Sequence, residues 1–158
     1  MFASPVQLPA TARESVVATL NARLADTLDL HRQIKLAHWN VKGPHFMLLH
    51  ELFEKLADTA DAQADTLAER AVTLGGLALG TSQHVAAATS LAEYPANTTR
   101  GLEHVRLLAD RYDTLLEALR DSRRVAEAFG DIDTADLLTE AVSTFEKEAW
   151  FLRATLEG

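Results

Sequence analysis

Residues 38–70, HWNVKGPHFMLLHELFEKLADTADAQADTLAER, decide how this chain is read. They contain His38, His50, Glu54, Asp65 and Glu69. At about 100° per residue, positions 50, 54, 65 and 69 fall at roughly 0°, 40°, 60° and 100° around a helix, so one imidazole and three carboxylates share a side. They form two pairs, His50/Glu54 and Asp65/Glu69, each at the i,i+4 separation at which helical side chains meet. The pairs lie about 22 Å apart along the axis at ~1.5 Å rise per residue, too far for one metal ion to join within a chain. An antiparallel copy of the same helix, crossing near a two-fold axis, would set each His/Glu pair against the partner's Asp/Glu pair.

Apolar periodicity extends helices outward from this stretch. Upstream, Val17, Leu20, Leu24, Leu28, Ile34 and Ala37 mark a first helix, beginning at Thr11 with a Thr11-x-x-Glu14 capping box and ending near Val41. Residues 1–10, with Pro5 and Pro9, read as a flexible arm, leaving 11–158 as one domain. Pro44 suits the first turn of the second helix, whose stripe of Phe46, Leu49, Phe53, Leu56, Ala60, Leu67 and Ala71 stops at Gly75-Gly76. Residues 77–97 form a long connection, with a short helix expected over 82–89. A connection of this length lets the third helix run parallel to the second. Asn97 or Thr98 is positioned to cap that third helix, which carries Leu102, Val105, Leu108, Tyr112, Leu115 and Leu119 and ends at Gly130. Asp133 is expected to cap a fourth helix, striped by Leu138, Val142, Phe145, Ala149, Leu152 and Leu156. The predicted fold is all-α: a four-helix bundle with a long connection between helices 2 and 3.

The 158 residues are 47 % hydrophobic but only 6 % aromatic, which suits helices, and no run is long enough to span a membrane. The N-terminus lacks the basic and apolar segments of a secretory signal. With no cysteine, disulfides and thiolate–zinc sites are excluded and a cytoplasmic location is the expectation. A net charge of −8 favours cations and works against nucleic acid or anionic lipid.

Carboxylates with imidazole and no sulfur suit a hard or borderline cation such as iron or manganese. Acids at i,i+4 near Lys55 and Arg70 also fit an ordinary solvated face, and a lone His50 fits a structural role. The shared side, interleaved with Phe53 and Leu67, favours ligands. Di-iron centres inside one bundle use Glu-x-x-His twice, and no glutamate here has a histidine three residues on. Any iron site must be built differently.

HWNVKGPHF (38–46), LHELFE (49–54) and DTLAERAVTLGG (65–76) together resemble the Dps family, the miniferritins or DNA-binding proteins from starved cells. ALGTSQ (78–83), Tyr94-Pro95, ADRYD (109–113) and DTADLL (133–138) extend the resemblance over nearly the whole chain from residue 11. It implies a ferritin-like bundle assembled as a hollow homododecamer, with ferroxidase sites shared across each two-fold. It also implies Fe²⁺ as substrate, oxidised preferentially by hydrogen peroxide, and ferric mineral stored inside. Carried over by motif, the ligands are His38, His50, Glu54, Asp65 and Glu69. Glu54 stands where the family commonly has aspartate, a departure of one methylene that keeps the carboxylate.

Trp39 resembles the tryptophan that the family places beside its iron, and is equally suited to packing in an interface. His31, seven residues before His38 on the same face, is a candidate accessory group. His45, His84 and His104 read as surface or capping residues. Asp131, Asp133 and Asp136 suit capping and the helix dipole; the resemblance implies that acids here line a three-fold pore admitting Fe²⁺. The competing function is that of a DNA-compacting structural protein of the nucleoid. Family members that bind DNA commonly use a lysine-rich arm, whereas MFASPVQLPATARES has one arginine and no lysine. Twelve copies would carry roughly −96, which opposes phosphate contact without a basic arm.

Overall fold

Four long helices bury their apolar residues against one another, as a helix with exposed apolar surface must. The computed structural model describes residues 1–157; Gly158, the last residue of the expected domain, lies outside the described residues. In order, the elements are α1 (Ala10–Asn40), α2 (Phe46–Thr73), α3 (Ser82–Ala88), α4 (Gly101–Ala128) and α5 (Ile132–Leu156). The core is a single cluster running through all four long helices, with Leu20, Leu30, Ile34, Phe53, Leu67, Tyr112 and Phe145 fully enclosed. No helix among the described residues is long and apolar enough to cross a membrane.

The direction of the helices follows from their ends. Lys42, between α1 and α2, pairs with Arg100, just ahead of α4, in an isolated parallel bridge. At the opposite end, Arg70 near the close of α2 holds Asp131 at the start of α5 (2.8 Å). Helices α2 and α4 therefore run the same way, as the long connection predicts. That connection is not loose. Buried Asp26 accepts the Ser90 amide (2.6 Å), and Arg111 donates to the carbonyls of Ala92 and Glu93 (3.3 and 2.8 Å).

The helix starts differ from the expected caps. Pro9, rather than Thr11, precedes α1, without a side-chain cap; proline pre-sets the backbone angle there. Helix α4 begins after Arg100 instead of Asn97 or Thr98, because Thr98 is bonded into a turn with Pro95 and Lys42 donates to Thr99. Asp131, not Asp133, caps α5 by accepting the Thr134 amide (3.1 Å). Gly130, at φ +74°, ends α4 immediately before it, and the Arg70 contact fixes Asp131 as the cap. Residues 1–9 form no helix, but the arm is tethered rather than free. The Phe2 amide donates to Gly75 O (2.7 Å), and the Ser4 hydroxyl to Thr73 O (2.7 Å).

Candidate metal centre

The turn between α1 and α2 brings His38 and His50 face to face, ring centroids 3.7 Å apart and planes 21° from parallel. Their bonding is reciprocal. His38 Nδ1 lies 2.9 Å from the His50 carbonyl oxygen, and His50 Nδ1 lies 2.9 Å from that of His38. A carbonyl only accepts, so each Nδ1 carries the proton and donates it. Each Nε2 is thereby left as the ring's lone-pair nitrogen, the tautomer a metal-binding histidine needs.

His38 Nε2 approaches Glu54 Oε2 to 3.2 Å. Two lone pairs facing each other at that distance are held together by a cation beside them. Lys35, one turn before His38, supplies one, donating from Nζ to the same oxygen at 2.6 Å. The Lys35 hydrogen bond is the largest influence holding the Glu54 carboxyl below its ordinary range, and the charge of the same ammonium adds to it. Glu54 remains 45 % exposed, so the group faces outward.

Asp65 and Glu69 are exposed farther along α2. Asp65 borders an open depression of about 530 Å³ with Asp58 and Asp61, floored by Leu24, Leu28, Ala64 and Ala68. No three His, Asp or Glu side chains among the described residues are grouped to hold a metal within one chain. The structure thus brings together His38, His50 and Glu54, and leaves Asp65 and Glu69 apart, as the 15-residue spacing requires. His31 is half-buried and lies about 10 Å before His38 along α1. Trp39 is 70 % exposed, with Lys35 Nζ 6.0 Å from its ring.

Of the three aspartates at the start of α5, Asp133 and Asp136 are exposed. Asp131 is 2 % exposed and committed to Arg70 and Thr134. Sequence reasoning missed Lys35, although its i−3 position relative to His38 places it on the same face. It also misplaced His104, which is fully buried with Nδ1 2.7 Å from the Tyr94 hydroxyl. The signal was present, since residue 104 stands four before Leu108 on the apolar stripe.

The ferritin-like domain profile matches residues 17–158. A DNA protection during starvation protein of Agrobacterium fabrum is 39 % identical over 150 residues, covering 95 % of this chain and 93 % of that protein. The chain belongs to the Dps family. Its namesake in Brevibacillus brevis is 34 % identical, covering 92 % of this chain and 97 % of its own. Among Dps structures, that of Mycobacterium smegmatis superposes with a TM-score of 0.94 at 30 % identity, covering 100 % of this chain and 95 % of its own. The Dps protein of Vibrio cholerae, described as a member of the ferritin-like diiron-carboxylate proteins, gives 0.93 at 27 %, covering 99 % and 98 %.

Proposed function

We propose that this Dps protein oxidises Fe²⁺, with hydrogen peroxide as preferred oxidant, at sites shared between two copies, and stores the ferric product inside a hollow dodecamer. One observation carries the reading. His38 and His50 fix each other's tautomer and leave both Nε2 lone pairs free, that of His38 beside Glu54, while the remaining acids lie exposed on the same helix, out of reach within one chain. A second copy laid antiparallel on the depression beside Asp65 would bring its His38, His50 and Glu54 to Asp65 and Glu69. The apolar floor of that depression supports such docking.

In this arrangement the imidazoles and carboxylates bind Fe²⁺ as substrate. The carboxylates favour the higher charge of Fe³⁺ and so favour electron loss. Two Fe²⁺ held close together supply two electrons to one peroxide and avoid releasing hydroxyl radical. Lys35 is displaced from Glu54 as the metal arrives. Exposed Asp133 and Asp136, repeated around a three-fold axis, would form a negative funnel that concentrates Fe²⁺, with Asp131 holding the start of α5 in place. DNA is protected by removal of both reagents in the cytoplasm, without direct contact. The test is stopped-flow oxidation of Fe²⁺ by peroxide in the wild type, His50→Ala and Asp65→Ala. Loss of the fast phase in both variants is expected, and unchanged rates in both would overturn the assignment.

A further inference from the structure

The chain has two tyrosines, and both are buried with the phenolic oxygen against a base. Tyr112 of α4 is 0 % exposed and donates to Glu148 Oε2 of α5 at 2.8 Å. Tyr94 meets His104 Nδ1 at 2.7 Å. A buried phenol needs an acceptor, but a backbone carbonyl would satisfy it. A buried carboxylate is a costly acceptor, and Glu148 has no lysine or arginine ion pair among the described residues. Burial raises the proton affinity of Glu148, which favours its taking up a proton, and lowers that of His104.

The pair also lies close behind the candidate site. Thr59 of α2, whose hydroxyl donates to Lys55 O (3.1 Å), lies near enough to the same carboxylate to influence it. Thr59 follows Glu54 by five residues and precedes Asp65 by six, roughly 7–9 Å along the axis in either direction. The other readily oxidised side chains, Met1, Met47, Trp39 and Trp150, are all exposed, and cysteine is absent. Within the bundle, the tyrosines are the available one-electron donors.

We propose that Tyr112 and Glu148 form an internal one-electron sink, Tyr112 giving an electron to oxidants of the hydroxyl-radical class while its proton passes to Glu148 Oε2. The source of such oxidants rests on the ferroxidase reading: they arise when peroxide meets a single Fe²⁺. The phenolic O–H bond breaks, an O–H bond forms on Glu148, and the oxidant becomes hydroxide. The products at the pair are a neutral phenoxyl radical and a neutral carboxylic acid, so oxidation removes a buried charge instead of creating one. A later Fe²⁺ returns one electron and becomes Fe³⁺, and the proton goes back to Tyr112. The sum converts one hydroxyl radical and one Fe²⁺ into hydroxide and Fe³⁺, with the pair restored.

The decisive experiment uses the assembled protein without iron, oxidised by a flash-excited ruthenium polypyridyl sensitiser with persulfate. The phenoxyl radical is followed by its visible absorption and by EPR. Wild type and Tyr94→Phe should give the signal, formed more slowly in deuterated water, and Tyr112→Phe should lose nearly all of it. Glu148→Gln keeps an acceptor for the phenol but not a base, and should slow formation about a hundredfold. Should Tyr112→Phe strand the carboxylate and fail to fold, Tyr112→Phe/Glu148→Gln replaces it. An undiminished signal without Tyr112, or an unchanged rate in Glu148→Gln, overturns the proposal. Because no iron is present, that failure is distinct from failure of the ferroxidase reading, which the Fe²⁺ oxidation rates decide.

Discussion

Replacing Asp131 by alanine separates a structural role from a role in iron passage. In the structure, Asp131 Oδ1 accepts from Arg70 Nη2 at 2.8 Å and from the Thr134 amide at 3.1 Å, and the residue is 2 % exposed. Losing the cap costs about 1 kcal/mol. Breaking a buried pair while leaving its cation costs about 3–5 kcal/mol. The Arg70 side chain is 13 % exposed and keeps a 2.7 Å bond to the Thr134 hydroxyl, which favours the lower end. The sum is about 4 kcal/mol, and at about 2–4 °C per kcal/mol for a chain this size the melting temperature should fall by about 8–16 °C. Asp133→Asn and Asp136→Asn touch no such network. They should stay within about 3 °C of wild type, reflecting the helix dipole alone, yet slow Fe²⁺ uptake at limiting iron. Thermal melting by circular dichroism at fixed protein concentration, paired with uptake rates, makes the comparison. If Asp131→Ala melts with wild type and slows uptake as much as Asp133→Asn, the assignment of Asp131 to structure is wrong.

Acidification should weaken the fold through His104. Burial holds its folded-state pKa below the ordinary 6.5, and Nε2 has no hydrogen-bond partner. Below pH 6.5 the unfolded chain takes up a proton that the folded one resists, so stability falls with pH until the folded pKa is reached. His104→Gln should flatten that slope in melts collected across the range; an equal slope contradicts the reasoning. Gly76→Ala would place a Cβ 2.4 Å from Val17 Cγ1 and 3.0 Å from the Ala71 carbonyl. A cost of about 1–3 kcal/mol is expected in denaturant melts, and an unchanged midpoint would show that α1 yields easily. Lys35→Met removes the cation now on Glu54, so the Glu54 carboxyl should titrate closer to its ordinary 4.5. Anaerobic Fe²⁺ binding should tighten, and weaker binding would mean that Lys35 assists the metal instead of competing with it.

Much of the architecture was legible because leucine and alanine recur at helical spacing and glycine marks the stops at 75–76 and 130. The caps were less legible, since Asp131 and Asp133 are equally good local candidates. Arg70, 61 residues away in sequence, decides between them through a tertiary contact. The candidate site was legible as two separated halves because the distance along a helix is arithmetic. The orientation of the imidazoles was not, because it depends on backbone carbonyls that the turn at 41–45 brings together. Lys35, Glu148 and His104 escaped for a common reason. A charged or polar residue on a helix is ordinarily solvated, and only the packed neighbours reveal which ones are enlisted.

We propose that each site takes His38, His50 and Glu54 from one copy and Asp65 and Glu69 from another. Co-assembly of inactive His50→Ala and Asp65→Ala chains tests it directly. In a mixed two-fold pair, one site inherits both defects and the other inherits neither. Random mixing after dissociation and reassembly should therefore restore peroxide-driven Fe²⁺ oxidation to roughly one quarter of the wild-type rate, since half the pairs are mixed and half their sites intact. Activity no greater than that of the separate variants would contradict the shared site.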